Sequence, residues 1–146
     1  MLACRTDHLD ALALLLRCGD VSRKDSEGSS AMNYAAESDN ADAILLLAQA
    51  GADVNNPDQY GRTSLHTVCM NDNLAAVQTL LAYHANPNLG DRDGYTPLDR
   101  MLQESRKDYK QDQMPKEIGR TIEILRKAGA KTTAELYAQA VHTRKH

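Results

Sequence analysis

Apolar residues fall into four short phrases that close alike, at residues 12–19, 44–51, 77–84 and 122–129. Counting back from the last residue of each phrase, positions −7 and −4 are always apolar: Leu12 and Leu15, Ile44 and Leu47, Val77 and Leu80, Ile122 and Leu125. A spacing of three keeps both side chains on one face of a helix. Three phrases end on Gly19, Gly51 and Gly129, where a chain leaving a helix takes a left-handed backbone; the fourth ends on His84, which reaches that backbone only at a cost. Ahead of these phrases runs a second pattern. Asp58, Gly61, Thr63, Leu65 and His66 recur at one fixed interval as Asp91, Gly94, Thr96, Leu98 and Asp99. The same interval in the other direction returns them, more loosely, as Asp25, Gly28, Ser30, Met32 and Asn33. The two patterns predict one unit: an extended hairpin tip, a short helix beginning near Thr63, a tight turn at Asp72–Asn73, a longer helix from Leu74 to Tyr83, and a loop. Asp, Asn and Gly gather at the tips because they satisfy their own backbone or tolerate turn angles. A recurring unit of about 33 residues predicts a solenoid.

The places where the interval fails are as informative. Gly94 to Gly129 spans 35 positions, against 23 from Gly28 to Gly51 and from Gly61 to His84, so a surplus of 12 lies within or around 103–117. Pro115 suits the first turn of the helix that follows, which places the extension before it, as a lengthened helix or a projecting polar loop. Beyond Gly129, Thr132 or Thr133 caps a last helix, and Glu135 suits a capping box with Thr132. No new hairpin follows it, so this helix is expected to cover the last repeat. The expected boundaries are repeats at about 1–24, 25–57, 58–90 and 91–131, with a capping helix at 132–146, all in one domain. The first repeat lacks its tip and most of its first helix. Leu9, Leu12 and Leu16 then have little ahead of them, and contact with preceding sequence or a neighbouring subunit is expected to cover them.

The chain resembles the ankyrin repeat family. Thr63, Leu65 and His66, and Thr96, Pro97 and Leu98, are similar to that family's Thr-Pro-Leu-His opening; Leu46–Leu47 and Leu80–Leu81, followed by Gly51-Ala-Asp-Val-Asn55 and His84-Ala-Asn-Pro-Asn88, resemble its close. The resemblance covers nearly the whole chain and implies an all-α ankyrin solenoid of helix-turn-helix units with β-hairpin tips. Departures are the weak opening at Ser30–Asn33, the short loop after Gly19, and Asp7, Asp39 and Asp72 where the family usually places glycine.

Composition narrows the function classes. Of 146 residues, 42% are hydrophobic and the aromatics are six tyrosines with no Phe or Trp, so the core must be built from Leu, Ala, Ile, Val and Met. A net charge of −3 does not suggest a nucleic-acid partner, which needs a basic surface. No apolar run is long enough to span a bilayer, so membrane insertion is not expected. Three scattered cysteines give neither a disulfide framework nor a metal pattern, and the simplest home is a reducing, intracellular one, cytoplasmic or nuclear.

Candidate chemistry reduces to structure on inspection. His66 and Cys69 stand three apart on one helix, yet a zinc site needs three or four convergent ligands, and a catalytic thiol needs a base and an exposed site. The resemblance implies that the His66 ring bonds backbone in the adjacent turn, and Cys69 is expected in the core, as is Cys4; His8 with Cys4 is an equally weak pair. Asp25, Asp58 and Asp91 are expected to cap turns; calcium would need many more oxygens in one loop. No phosphate loop, nucleophile elbow or zinc-protease motif occurs. The chain is therefore not expected to be an enzyme or to need a cofactor or metal.

What remains is recognition. The resemblance implies that hairpins and first helices form a concave binding face. Outward positions there include Ser29, Glu37, Arg100, Gln103 and Glu104. The expected protein-binding residues are Tyr34, Tyr60, Arg62, Met70, Asn71, Arg92, Asp93 and Tyr95, because Tyr, Arg and Met are enriched at interface centres. The mixed charge suits a protein or peptide of mixed charge better than a polyanion. The expected role is a non-catalytic recognition or adaptor module; the alternative is a regulatory or substrate-recognition domain of a larger enzyme or host-directed effector. The polar extension at 105–113 is a second candidate surface.

Overall fold

The computed structural model describes residues 19–26, 28–108 and 115–143. Seven helices lie among them: α1 (Ala31–Glu37), α2 (Ala41–Gln49), α3 (Ser64–Met70), α4 (Leu74–Ala82), α5 (Pro97–Asp108), α6 (Lys116–Lys127) and α7 (Thr133–Thr143). The first helices of the units, α1, α3 and α5, pack side by side in one layer, and the second helices, α2, α4 and α6, in another. The core lies between the layers. Met32, Ala35 and Ala36 of α1, Leu65, Val68 and Cys69 of α3, and Leu98 and Met101 of α5 meet Ile44 and Leu47, Val77 and Leu80, and Ile118 and Leu125. Alanines at the contacts let thin helices approach closely without a large aromatic to fill the space. Residues 1–18 of repeat one, with Cys4, Asp7, His8, Leu9, Leu12 and Leu16, lie outside the described residues, as does Glu27.

The chain starts and stops its helices with local polar groups. Ser30 closes a capping box with Asn33, and Thr63 closes one with His66. Asn40 and Asn73 cap α2 and α4, each accepting a 2.9 Å bond from the amide three residues on. The residues before those caps, Asp39 and Asp72, have φ of 56° and 54°, so the positions expected to hold glycine do require left-handed backbone. At the far ends Gly51, His84 and Gly129 have φ of 83°, 63° and 85°. The next amide then returns to the carbonyl five residues back, Ala52 to Leu47, Ala85 to Leu80 and Ala130 to Leu125, at 2.9–3.0 Å. This is the left-handed exit that satisfies the last carbonyls of a helix.

The tips are closed turns, with one isolated antiparallel bridge, Lys24–Ser30, among the described residues. Two details differ from the sequence reading. Ile122 is only partly buried, because α6 turns Ile118, Thr121 and Leu125 inward instead. Pro115 is the N-cap of α6 and lies one position outside its first turn. The extension is in part longer helix: α5 has 12 residues where α1 and α3 have seven. Residues 109–114 of it lie outside the described residues. The capping helix α7 begins as expected, with Thr132 N–H donating to Glu135 Oε2 at 2.7 Å and Glu135 N–H returning to Thr132 Oγ1 at 3.3 Å. It joins the stack through its first turn, while residues 134, 135 and 137–140 stay exposed.

Candidate protein-binding face

Each tip is organised by one aspartate. In the second tip the Asp58 amide donates to Arg62 O at 2.9 Å and the Gly61 amide to Asp58 O at 3.0 Å. In the third, Asp91 and Gly94 repeat the pair with Tyr95 O and Asp91 O at 3.0 and 2.9 Å. The carboxylates complete the turn from inside. Asp58 Oδ1 accepts from the Tyr60 and Arg62 amides at 2.7 and 2.9 Å, and Asp91 Oδ1 accepts from those of Asp93 and Tyr95 at 3.0 Å each. Turn capping, expected for Asp25, Asp58 and Asp91, is what these carboxylates do.

The second oxygen of each aspartate is left to hold a side chain on the face. Asp25 Oδ2 accepts from the Tyr34 hydroxyl. Asp91 Oδ2 takes Arg100 Nε at 2.6 Å. Tyr34 and Arg100 occupy one position of the unit, two intervals apart, each nine beyond its aspartate. The matching residue in the middle unit is Thr67, too short to reach, and there Arg62 holds Asp58 Oδ2 with Nε and Nη2 at 3.0 and 2.9 Å. Burial raises the pKa of Asp91, but its bonds to Arg100 and to the Tyr95 and Asp93 amides outweigh that and hold the carboxyl below its ordinary value. Arg100 also reaches Asp93 with Nη2 at 2.7 Å.

Held this way, the two guanidiniums lie over tyrosine rings. Arg62 Cζ is 4.8 Å from the Tyr60 ring centre and Arg100 Cζ is 4.7 Å from that of Tyr95. Stacking of this kind contributes about 0.5–1 kcal/mol at exposed sites. Tyr60 is 55% exposed and Tyr95 37%, so both rings still present surface outward. The adjoining tips are tied by Arg92 N–H to Tyr60 O at 3.0 Å. Gly61 makes that approach possible, since a Cβ there would stand 2.9 Å from Arg92 N. Between the first two tips lies a polar cleft of about 230 Å³, bordered by Tyr34, Glu37, Gln59, Tyr60 and Arg62.

The eight residues expected at a binding face therefore divide. Tyr60, Arg62, Arg92, Asp93 and Tyr95 share the second and third tips, and Tyr34 joins them across the cleft. Met70 and Asn71 lie at the other end of α3, about 10 Å along the helix, where with Met101, Glu104, Glu117 and Ile118 they border a separate cleft of about 350 Å³. Ser29, expected to face outward, is buried under the first tip, where its amide donates to Asp25 Oδ1 at 2.9 Å. Sequence reasoning placed Arg100 on this face but missed its part as the clamp on Asp91. The shared position with Tyr34 was the available signal.

Beneath the tips, one buried slot per unit joins neighbouring layers. His66 is fully buried; its Nδ1 accepts from Thr63 N–H at 3.1 Å, and its Nε2 lies 3.0 Å from Tyr95 O. A carbonyl can only accept, so Nε2 carries the proton and the ring is neutral. Burial pushes the His66 pKa down. Asn33 Nδ2 donates to Asn56 O at 3.3 Å from the equivalent position. Asp99 occupies the third slot with reversed polarity: its Oδ2 accepts from the amides of Thr96 and Thr133 at 3.0 and 2.8 Å. Burial raises the Asp99 pKa, and hydrogen bonds from the Thr133 hydroxyl and those amides more than reverse it. Cys69 is buried beside this layer with its pKa raised by desolvation, which suits a core thiol and not a nucleophile. Among the described residues no three His, Cys, Asp or Glu side chains form a metal-binding group. No described helix is long and apolar enough to cross a membrane.

Two family models match the chain. One, described as ankyrin repeats (3 copies), covers residues 1–58, and the other, ankyrin repeats (many copies), covers residues 45–100. A search of curated proteins finds no match. Ankyrin repeats are generally protein–protein interaction modules. With paired helices recurring at a fixed interval and the two models matching across residues 1–100, the chain belongs to the ankyrin repeat family.

Proposed function

We propose that this chain recognises another protein or a peptide, without catalysis, through the concave face formed by its tips and the first helices of its units. One observation carries the reading. Tyr60 and Tyr95 are held outward under stacked arginines, and those arginines are fixed by carboxylates at 2.6–3.0 Å. Neither ring fills the core, so the ordering of these side chains is spent on the surface. Large, rigid aromatic surface with little left to freeze is what interface centres use. The repeats are read as residues 1–24, 25–57, 58–90 and 91–131, the first incomplete, with 132–146 as the capping helix. Tyr34, Tyr60, Arg62, Arg92, Asp93 and Tyr95 form the main contact, with Met70 and Asn71 as an outlying part. An adaptor working in the cytoplasm or nucleus fits this reading, with a partner of mixed charge.

The test is capture of partners from native cell extract on the wild-type protein and on the combined Tyr60→Ala, Arg62→Ala, Tyr95→Ala variant. Partners identified by mass spectrometry should be lost from the variant while its far-UV circular dichroism is unchanged. Undiminished binding to the variant would reject this face.

A further inference from the structure

We infer that the face reads an extended segment bearing one basic and one acidic side chain, placed on opposite sides of Tyr60. The inference rests on the peptide-binding reading above and specifies its ligand. Most charges on the face are already matched internally: Arg62 by Asp58, and Arg100 by Asp91 and Asp93. Glu37 and Arg92 differ. Neither side chain has a hydrogen bond or ion pair among the described residues, and both are exposed.

Their positions are fixed by the stack. Glu37 ends α1 and borders the polar cleft together with Tyr60. Arg92 lies on the other flank, in the third tip, with its backbone on Tyr60 O and its Cγ 3.2 Å from where a Gly61 Cβ would stand. Tyr60 belongs to the tip between them. Along the stack the order is an unmatched carboxylate, an exposed aromatic ring and an unmatched guanidinium.

That order selects a ligand. A polyanion would meet Glu37, Asp58 and Asp93, and a polycation would meet Arg62, Arg92 and Arg100, so a run of either sign is opposed at part of the face. A segment with a cation facing Glu37 and a carboxylate facing Arg92 is opposed nowhere. Neighbouring packed helices are about 8–10 Å apart, and an extended chain advances about 3.3 Å per residue. One layer therefore spans about three residues of ligand. Glu37 and Arg92 are two layers apart, and Glu37 lies at the far end of α1, about 10 Å along the helix from its tip, so the segment crosses the face obliquely and its two charged residues fall about six positions apart, with an apolar or aromatic side chain midway for Tyr60.

The experiment uses synthetic fluorescent peptides with Arg and Asp six positions apart, in both chain orders, around a central Leu or Tyr. Scrambled, all-acidic and all-basic peptides serve as comparisons, and binding is read by fluorescence polarisation. One order of the spaced peptide should bind at least about tenfold tighter than the scrambled and single-sign peptides. The double variant Glu37→Lys, Arg92→Glu changes only exposed side chains, and it should transfer the preference to the opposite order. If spaced and scrambled peptides bind alike, and binding is lost in Tyr60→Ala, the charge order is wrong while the face still binds peptide. If binding is indifferent to Tyr60→Ala, both readings fail. An unchanged preference in the double variant, or no binding by any of the peptides, overturns the inference.

Discussion

His66 and Asp99 fill the same slot in consecutive layers and do opposite things. The His66 ring donates forward to Tyr95 O and so fastens the α3–α4 pair to the third tip. Asp99 donates nothing; the next segment brings the donors, with Thr133 N–H at 2.8 Å and its hydroxyl at 2.7 Å. The slot thus requires that every buried polar group find a partner, and either polarity serves if the following segment matches it. The setting decides how much each joint matters. The His66 ring sits mid-stack with no exposure, whereas Thr133 is partly exposed at the stack's end, where water can replace a lost bond.

The largest effect is therefore expected from His66→Leu. It keeps the volume apolar but leaves the buried Thr63 amide without its acceptor and takes one of two donors from Tyr95 O, which keeps the Asp91 amide. An unsatisfied buried group costs about 1–3 kcal/mol and the lost interlayer bond adds about 1 kcal/mol, so a loss on the order of 3 kcal/mol is expected, read as a lower urea midpoint at unchanged slope. A variant as stable as wild type would show that the ring only fills space.

Acid should separate the two joints next. The folded pKa of His66 is lowered from an ordinary 6.5, so below about that pH the unfolded chain takes up a proton the folded chain refuses. Stability contributed by the neutral ring is complete above 6.5 and falls as pH drops from there towards the folded value. The folded pKa of Asp99 is also lowered, from 3.8, and its contribution holds above 3.8 and is lost as pH falls through the folded value. Denaturation midpoints measured from pH 8 to pH 3 should decline in two stages, and His66→Gln should remove the first stage alone. A single decline below pH 4 in both proteins would contradict the assignment of the first stage to His66.

The sequence made the scaffold legible because its rules are local. A left-handed exit at Gly51, His84 and Gly129, a cap at Asn40 and Asn73, and an apolar pair three apart each follow from a few neighbouring residues. Departures arose where a distant element decides. Ile122 has the right spacing, but α6 packs at the end of the stack with Ile118 and Thr121 inward, which no window of local sequence contains. Ser29 reads as a surface serine until the tip folds over it. On the candidate face the residue types were visible, but the division into a tip patch and the Met70–Asn71 cleft depends on the length and direction of α3. The reversed polarity at Asp99 was written in the sequence as Asp in place of His, yet its meaning required Thr133, 34 residues away, to be placed beside it.

Weaker and more local change is expected from Asp99→Ala. The buried Thr96 amide loses its acceptor while water reaches that of Thr133, so a cost of about 1–2 kcal/mol is expected. The loss should be confined to the end of the stack. Amide hydrogen exchange should quicken in α7 while α3 and α4 keep their protection, the reverse of the His66→Leu pattern, in which all layers exchange faster together. Equal acceleration across α3, α4 and α7 would mean that the end joint is as central as the middle one.

Thr133→Val should have the smallest effect and decides what the end joint consists of. The substitution keeps shape and removes one hydroxyl, which lies 2.7 Å from Asp99 Oδ2 and 2.6 Å from Gly94 O. A hydroxyl has one proton, so it can donate to only one of these at a time. The backbone bond from Thr133 N–H to Asp99 survives, and a cost of about 0.5–1 kcal/mol is expected. A double-mutant cycle with Asp99→Ala separates the two acceptors. If the proton goes to Asp99, the double variant loses little more stability than Asp99→Ala alone, because the hydroxyl has nothing left to hold there. If it goes to Gly94 O, the two losses add, and Asp99 is held by the backbone amides of Thr96 and Thr133 and by the Thr96 hydroxyl, without that of Thr133.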